Sequence, residues 1–293
     1  MRGFERVRAY GGVVAIAHTV FALPFAATAV VLSLAGSHES LSAARILAML
    51  FCMVCARTSA MAFNRWADRD VDALNPRTRG RHLITGAVSA MEVLMLCAVS
   101  AVGFVGGAAA LGVWPLVLSP LVLTVLLGYS YAKRFTWAAH LWLGVALSLA
   151  PGGAWIAMGA SPSFGIVLLM VAVVCWLFGF DVLYSLQDEE FDRRVGLHSV
   201  PARFGRRLAL FLSELAHVAA FCAFGGCGWL LHRGGAYFAG VAVVGALLVY
   251  EHILVRIKGL VAIDRAFFDV NALVSVAFFV FATVDEVARR WLG

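Results

Sequence analysis

Charge is scarce in this sequence: Asp, Glu, Lys and Arg make up 14% of the 293 residues, while 62% are hydrophobic. Mean hydropathy is +0.89. A water-soluble domain cannot hide that much apolar surface, so lipid must be the solvent for most of the chain. The same composition excludes disordered and collagen-like chains. The six cysteines, Cys52, Cys55, Cys97, Cys175, Cys222 and Cys227, all lie in apolar stretches, which excludes a disulfide-stapled secreted fold. Cys52-x-x-Cys55 has the spacing of a redox or metal pair. No histidine stands at zinc spacing, and small buried thiols on a helix account for it better.

Nine apolar stretches are long enough to cross a bilayer: residues 12–34, 42–63, 90–111, 114–131, 137–159, 164–186, 208–231, 236–255 and 267–287. Each is far longer than the ten-residue alternating strands of a membrane barrel, and a lipid-exposed backbone must satisfy its own hydrogen bonds, so all are expected to be helices. Little sequence remains beyond loops, which predicts an all-α integral membrane bundle forming a single domain over residues 1–293. Arg2, Arg6 and Arg8 precede the first run as in a signal peptide. That run is too long for one and lacks a small-residue cleavage site, so it is expected to be retained.

Sorting the cations by loop puts 18 of the 23 Lys and Arg on the side that carries the N-terminus. The positive-inside rule then predicts a cytoplasmic N-terminus and an external C-terminus. Topogenesis explains most of the net charge of +6. No nucleic acid is needed as a partner, and anionic substrates or lipids account for the remainder.

The 17 acidic residues are distributed unevenly, and eight of them fall in two short segments. The first runs from Asn64 through Asp68 and Asp70 to Asp72, after the second stretch. The other runs from Asp181 through Tyr184, Asp188, Glu189 and Glu190 to Asp192, after the sixth. Asn64, Asp68, Asp72 and Tyr184, Asp188, Asp192 both step by four, which keeps them on one helical face. Asp68 to Asp188 and Asp72 to Asp192 are both 120 residues apart. Four stretches intervene, so both segments emerge on the same, cytoplasmic side, as in two half-bundles of similar plan.

Carboxylates at i, i+4 repel one another and are costly near lipid; a cation bound between them removes that penalty. Hard oxygen ligands without His or Cys point to Mg²⁺, which commonly shares its coordination with substrate phosphates. Two such sites facing each other would clamp a diphosphate. The arginines of Asn75-Pro-Arg77-Thr78-Arg79-Gly-Arg81, together with Lys133 and Arg134, suit phosphate oxygens. A single D-x-x-x-D is more simply a solvated loop. Two equally spaced copies on one side, each followed by arginines, favour a site. A transporter would place its critical charges at the midplane, and a lipid head-group phosphotransferase would carry D-G-x-x-A-R, which is missing here.

These residues resemble the UbiA superfamily of intramembrane aromatic prenyltransferases. The resemblance rests on Asn64-x-x-x-Asp68-x-x-x-Asp72 with Arg77-Thr78-x-x-Arg81, on Tyr129-x-x-x-Lys133-Arg134-Phe135-Thr136, on Tyr184-x-x-x-Asp188-x-x-x-Asp192 with Gly196-x-x-Ser199, and on Asn271. It implies a nine-helix bundle with a central cavity opening to the cytoplasm, and two Mg²⁺ ions bridging a polyprenyl diphosphate. Asp68, Asp72, Asp188 and Asp192 are the implied catalytic acids. With Asn64 they are also the implied metal ligands, Asp181 serving as a supporting acid. Arg77, Lys133 and Arg134 are the implied diphosphate contacts. Arg81 serves either there or on the acceptor carboxylate, and Tyr129 and Tyr184 offer aromatic faces to an allylic cation. Arg65 stands where the family pattern has Asp, and Arg81-His82-Leu83-Ile84-Thr85-Gly86 replaces a proline-bearing version of that loop. The implied acceptor is an aromatic carboxylic acid, 4-hydroxybenzoate on the way to ubiquinone. The segments His18 to Phe25 and Leu186 to Gly205 resemble a subgroup some of whose members act on 1,4-dihydroxy-6-naphthoate for menaquinone. His18, His140 and His198 are candidates by position for contacting the acceptor or handling a proton, but a lone histidine in a helix is more often a packing residue, and the three are left out of the catalytic set.

Overall fold

The computed structural model describes residues 19–34, 36–37, 39–259 and 266–292. Arg2, Arg6, Arg8, His18, Arg265 and the start of the first apolar stretch lie outside the described residues. Within them there are helices and no strand: α1 (Thr19–Ser33), α2 (Ala43–Ala67), α3 (Arg69–Leu74), α4 (Ala90–Leu111), α5 (Val113–Ala132), α6 (Ala139–Ala157), α7 (Phe164–Ser185), α8 (Glu189–Val195), α9 (Val200–Leu230), α10 (Gly235–Lys258) and α11 (Asn271–Leu292), the last entered through a π-helical turn, Ala266–Val270. Eight helices are long and apolar enough to cross a membrane, and Phe21–Ser33 is a shorter apolar helix. The chain is a multi-pass integral membrane protein.

The helix bounds depart from the apolar stretches where polar residues continue a helix. α2 runs on to Ala67, carrying Asn64 and Arg65 on its last turn. α9 begins at Val200, where Ser199 accepts the Ala202 N–H and a proline occupies the first turn. It is broken at Gly205 (φ 81°, ψ 164°). Capping chemistry sets these starts, and hydropathy does not register it.

The helices form two compact units. The first holds α2 to α5 within Leu41–Ala132; the second holds Val20–Ser40 and the chain from Lys133 onward. Each unit contains one acidic segment. The division is unequal in length, since Val20–Ser33 of α1 belongs with the second unit.

In the first unit α2 packs on α4 and α5. A Cβ on Gly107 would lie 2.7 Å from Cys52 Sγ, and one on Gly103 2.9 Å from Cys55 Sγ. Glycines therefore let two helix backbones approach over the thiols, as small residues do in membrane bundles. Cys52-x-x-Cys55 is a packing feature, and both thiols are free. Ser89 and Glu92 close a reciprocal capping box at the start of α4.

In the second unit α7 packs between α6 and α9. Phe25 of α1 seats its ring 4.9 Å from that of Trp176 and 5.8 Å from that of Phe224. Polar groups join the helices at depth. Trp176 Nε1 donates to Asn271 Oδ1 (2.8 Å), and Asn271 Nδ2 donates to Glu251 Oε1 (2.7 Å), linking α7, α11 and α10. Arg233 is held by Glu286 (2.5 Å) and by the Leu32 carbonyl (2.9 Å), while Asp285 accepts the Gly234 N–H at the start of α10.

Candidate active site

The first acidic segment bends at its middle acid. Asp68 has φ −92° and ψ 2°, ends α2 and begins α3, so the triad is not one uninterrupted helix as its spacing suggested. The four-residue step survives because the Asp68 N–H donates to Asn64 O (2.9 Å) and the Asp72 N–H to Asp68 O (2.8 Å). Repulsion between stacked carboxylates and the short polar side chain of Asp both favour a cap at this point. Asn64 Nδ2 donates to Asp68 Oδ2 at 2.8 Å, fixing that carboxylate.

Pro76 prevents α3 from continuing, and the chain folds back through consecutive turns. The N–H groups of Thr78 and Arg79 donate to Asn75 O, and Thr78 Oγ1 donates to Asp72 O (2.9 Å). These turns return Arg81 onto the buried Asp72, where Nη1 forms an ion pair with Oδ2. Ile84, where the family pattern has proline, uses its N–H to donate to Arg81 O (2.9 Å). A hydrogen bond thus supplies the order that proline would have given. Arg77 is exposed, its backbone N–H bonded to Asn75 Oδ1, and Tyr129 is half-buried near the end of α5.

The second segment repeats the design within the other unit. Asp188 has φ −104° and ψ 3° at the break between α7 and α8, and the Asp192 N–H donates to Asp188 O (2.8 Å). Asp192 is only 2% exposed. Its Oδ2 has no hydrogen-bond partner among the described residues, and Lys133 Nζ lies 3.8 Å away. Gly196, at φ 74°, lets the chain turn left-handed after α8. The His198 N–H then donates to Lys133 O (2.7 Å), which ties the lysine backbone beside the acid. Arg134 is exposed on the same loop.

In both units the last acid of the triad is buried against a basic side chain, and the middle acid stands half-buried at a helix break. All donors are oxygens, as Mg²⁺ prefers. Among the described residues no three His, Cys, Asp or Glu side chains converge as a metal cage. One or two carboxylates per ion suit Mg²⁺ whose remaining ligands are phosphate oxygens and water. The residues present fit such an ion.

In the second half of α7 the partly exposed positions are Val174, Cys175, Phe178, Asp181 and Tyr184, while Val182, Leu183 and Ser185 are buried, and Asp188 follows, partly exposed, at the break after the helix. One stripe therefore carries apolar and aromatic surface at depth and acids toward the helix end. Asp181 on that stripe is held by His140 of α6, a histidine left out of the catalytic set on sequence, whose partner, 41 positions away, no local spacing marks. Asn271 lies in the second unit's buried Trp176–Glu251 chain.

A model of the UbiA prenyltransferase family matches residues 22–280. The 4-hydroxybenzoate octaprenyltransferase of Aromatoleum aromaticum is 33% identical over 239 residues, 80% of this chain and 79% of that one. The enzyme of the same name from Shewanella sediminis is 30% identical over 80% of this chain and 82% of its own. Among solved structures, the apo form of a UbiA homolog from Aeropyrum pernix K1 superposes with a TM-score of 0.82 at 33% identity, covering 92% of this chain and 98% of that one. A UbiA homolog from Archaeoglobus fulgidus bound to GPP and Mg²⁺ shares the fold, with a TM-score of 0.69 at 18% identity over 95% of this chain and 99% of that one. The chain belongs to the UbiA prenyltransferase family.

Proposed function

We propose that this chain transfers a polyprenyl group from a polyprenyl diphosphate to the ring of 4-hydroxybenzoate in respiratory quinone biosynthesis. The observation that carries this reading is the repeated acidic design: a half-buried Asp at a helix break, then a buried Asp paired with a cation, once in each unit. The names of the two bacterial relatives support the donor and acceptor classes. The family match runs through both units, which supports reading residues 1–293 as one functional domain. The charge distribution supports a cytoplasmic N-terminus with both acidic segments on the cytoplasmic side.

In this reading Asn64, Asp68 and Asp72 hold one Mg²⁺, and Asp188 and Asp192 a second. Mg²⁺ bound with the diphosphate supplies positive charge to the leaving group. Arg77, Lys133 and Arg134 take phosphate oxygens and stabilise the charge that develops as the C–O bond breaks. The Arg81 pair with Asp72 supports placing Arg81 with this group in place of the acceptor carboxylate. Tyr129 and Tyr184 offer their faces to the allylic cation. The apolar surface of α7 beyond Asp181 suits an isoprenoid tail and excludes water that would quench the cation.

The test uses the full chain in membranes with labelled polyprenyl diphosphate, Mg²⁺ and either 4-hydroxybenzoate or 1,4-dihydroxy-6-naphthoate. Product with the benzoate, lost with EDTA and in inserted Asp68→Ala and Asp188→Ala proteins, is expected. Product with the naphthoate alone moves the chain to menaquinone synthesis, and full activity in either variant overturns the metal assignment.

A further inference from the structure

One titratable pair in the second unit takes no part in holding the diphosphate. His140 is 1% exposed, and its Nδ1 lies 2.6 Å from Asp181 Oδ2. A carboxylate only accepts, so Nδ1 carries the hydrogen that faces Asp181. Nε2 is buried with no hydrogen-bond partner among the described residues. A polar nitrogen left unbonded in a buried place destabilises the fold, and an apolar side chain would fill the space without that penalty. Packing alone therefore does not account for this histidine. What it achieves is to fix one oxygen of Asp181.

The Asp181 side chain is 14% exposed, on the partly exposed face of α7 with Phe178 and Tyr184. It lies on the last turn and a half of α7, about 6 Å inward of the helix end at Ser185, while Asp188 stands beyond that end. An acceptor ring must approach the carbon bonded to the diphosphate to within about 3.5 Å, so it occupies the level just below the phosphates. Asp181 is the acid of the α7 stripe at that level. Phe178, one turn further in, sets its ring edge-on to His140 at 6.5 Å and bounds the space below.

We propose that Asp181 accepts the proton released by the acceptor ring, and that His140 is the positioning residue that aims it. The proposal rests on the prenyl-transfer reading above. The bond from the allylic carbon to the diphosphate breaks first, its electron pair leaving with the diphosphate, and a π electron pair of the ring then forms the new bond to the allylic cation. The C–H electron pair of the attacked carbon then returns to the ring as the proton passes to Asp181 Oδ1. His140 keeps Nδ1–H on Oδ2 throughout, so Oδ1 is the oxygen left to take the proton.

The experiment measures turnover and the deuterium isotope effect of ring-deuterated acceptor, benzoate and naphthoate in turn, using the full chain in vesicles with Mg²⁺ and polyprenyl diphosphate. In the wild type, with cleavage of the donor C–O bond limiting, the isotope effect is expected to stay near 1. Asp181→Asn and His140→Phe are expected to lower kcat by about 100-fold with little change in donor KM, and to raise the isotope effect to about 2 or more as proton loss becomes limiting. His140→Asn, whose amide can donate from the Nδ1 position, is expected to recover most of the loss with an isotope effect near 1. Asp181→Asn keeps the side-chain shape and carries the test even where His140→Phe does not insert. Slow variants with an isotope effect near 1 overturn the proton-accepting role, and His140→Asn as impaired as His140→Phe overturns the positioning role. A wild type that makes product with neither acceptor overturns the functional reading and this proposal together.

Discussion

Removing the Lys133 charge tests the electrostatic design of the second acidic segment. Asp192 is buried, its Oδ2 without a hydrogen bond among the described residues, and Lys133 Nζ stands 3.8 Å from that oxygen. At that separation Coulomb's law gives about 4 kcal/mol for an effective dielectric of 20 and about 1 kcal/mol in water. The lysine side chain is 32% exposed and the Asp192 side chain 3%, so the pair belongs between these limits. Lys133→Met keeps the length of the side chain and leaves a buried carboxylate uncompensated, with an expected loss of ~1–3 kcal/mol of stability. Asp192→Asn in the same background removes the stranded charge and is expected to return most of that loss. A double-mutant cycle by thermal denaturation in detergent measures the coupling, while turnover with Mg²⁺ follows in parallel. Both single variants and the double variant are expected to be severely impaired in prenyl transfer under the proposed site assignment, because pairing restores stability and not the groups proposed to meet the diphosphate. A coupling below about 0.5 kcal/mol would show the two residues to be independent and refute the reasoning.

The helices were legible in the sequence because lipid imposes a strong and simple demand. A run of about 20 apolar residues has few alternatives, and of the eight such helices all but α9, which starts eight residues early at Val200, stand within a few residues of the expected stretches. The two acidic segments were legible for the opposite reason, since charge at a membrane helix end must be compensated. What the sequence did not show is how each segment is held. The breaks at Asp68 and Asp188 depend on backbone angles that i, i+4 spacing does not encode. The ion pairs of Arg81 with Asp72 and Lys133 with Asp192 depend on turns that bring distant residues back. His140 is the clearest case, because nothing local to it marks Asp181 as its partner. Asn271 stood out by resemblance, and the structure gives it a physical role, joining Trp176 to Glu251 across three helices.

That buried chain and the turn after α8 give two further outcomes. Asn271→Leu removes both hydrogen bonds at once and is expected to cost about 2 kcal/mol, at ~0.6–2 kcal/mol for each intramembrane bond; an unchanged melting temperature would show that Glu251 and Trp176 find other partners. Gly196→Ala forces a Cβ into a left-handed conformation at φ 74°, where open space surrounds the position, so the cost is backbone strain of about 1 kcal/mol without a clash. Because this turn sets the His198 N–H on Lys133 O, the strain should also loosen the lysine and raise donor KM. A Gly196→Ala protein that loses stability while keeping the wild-type KM would show that Lys133 is held by its charge on Asp192 alone, and that the loop behind it does not aim it.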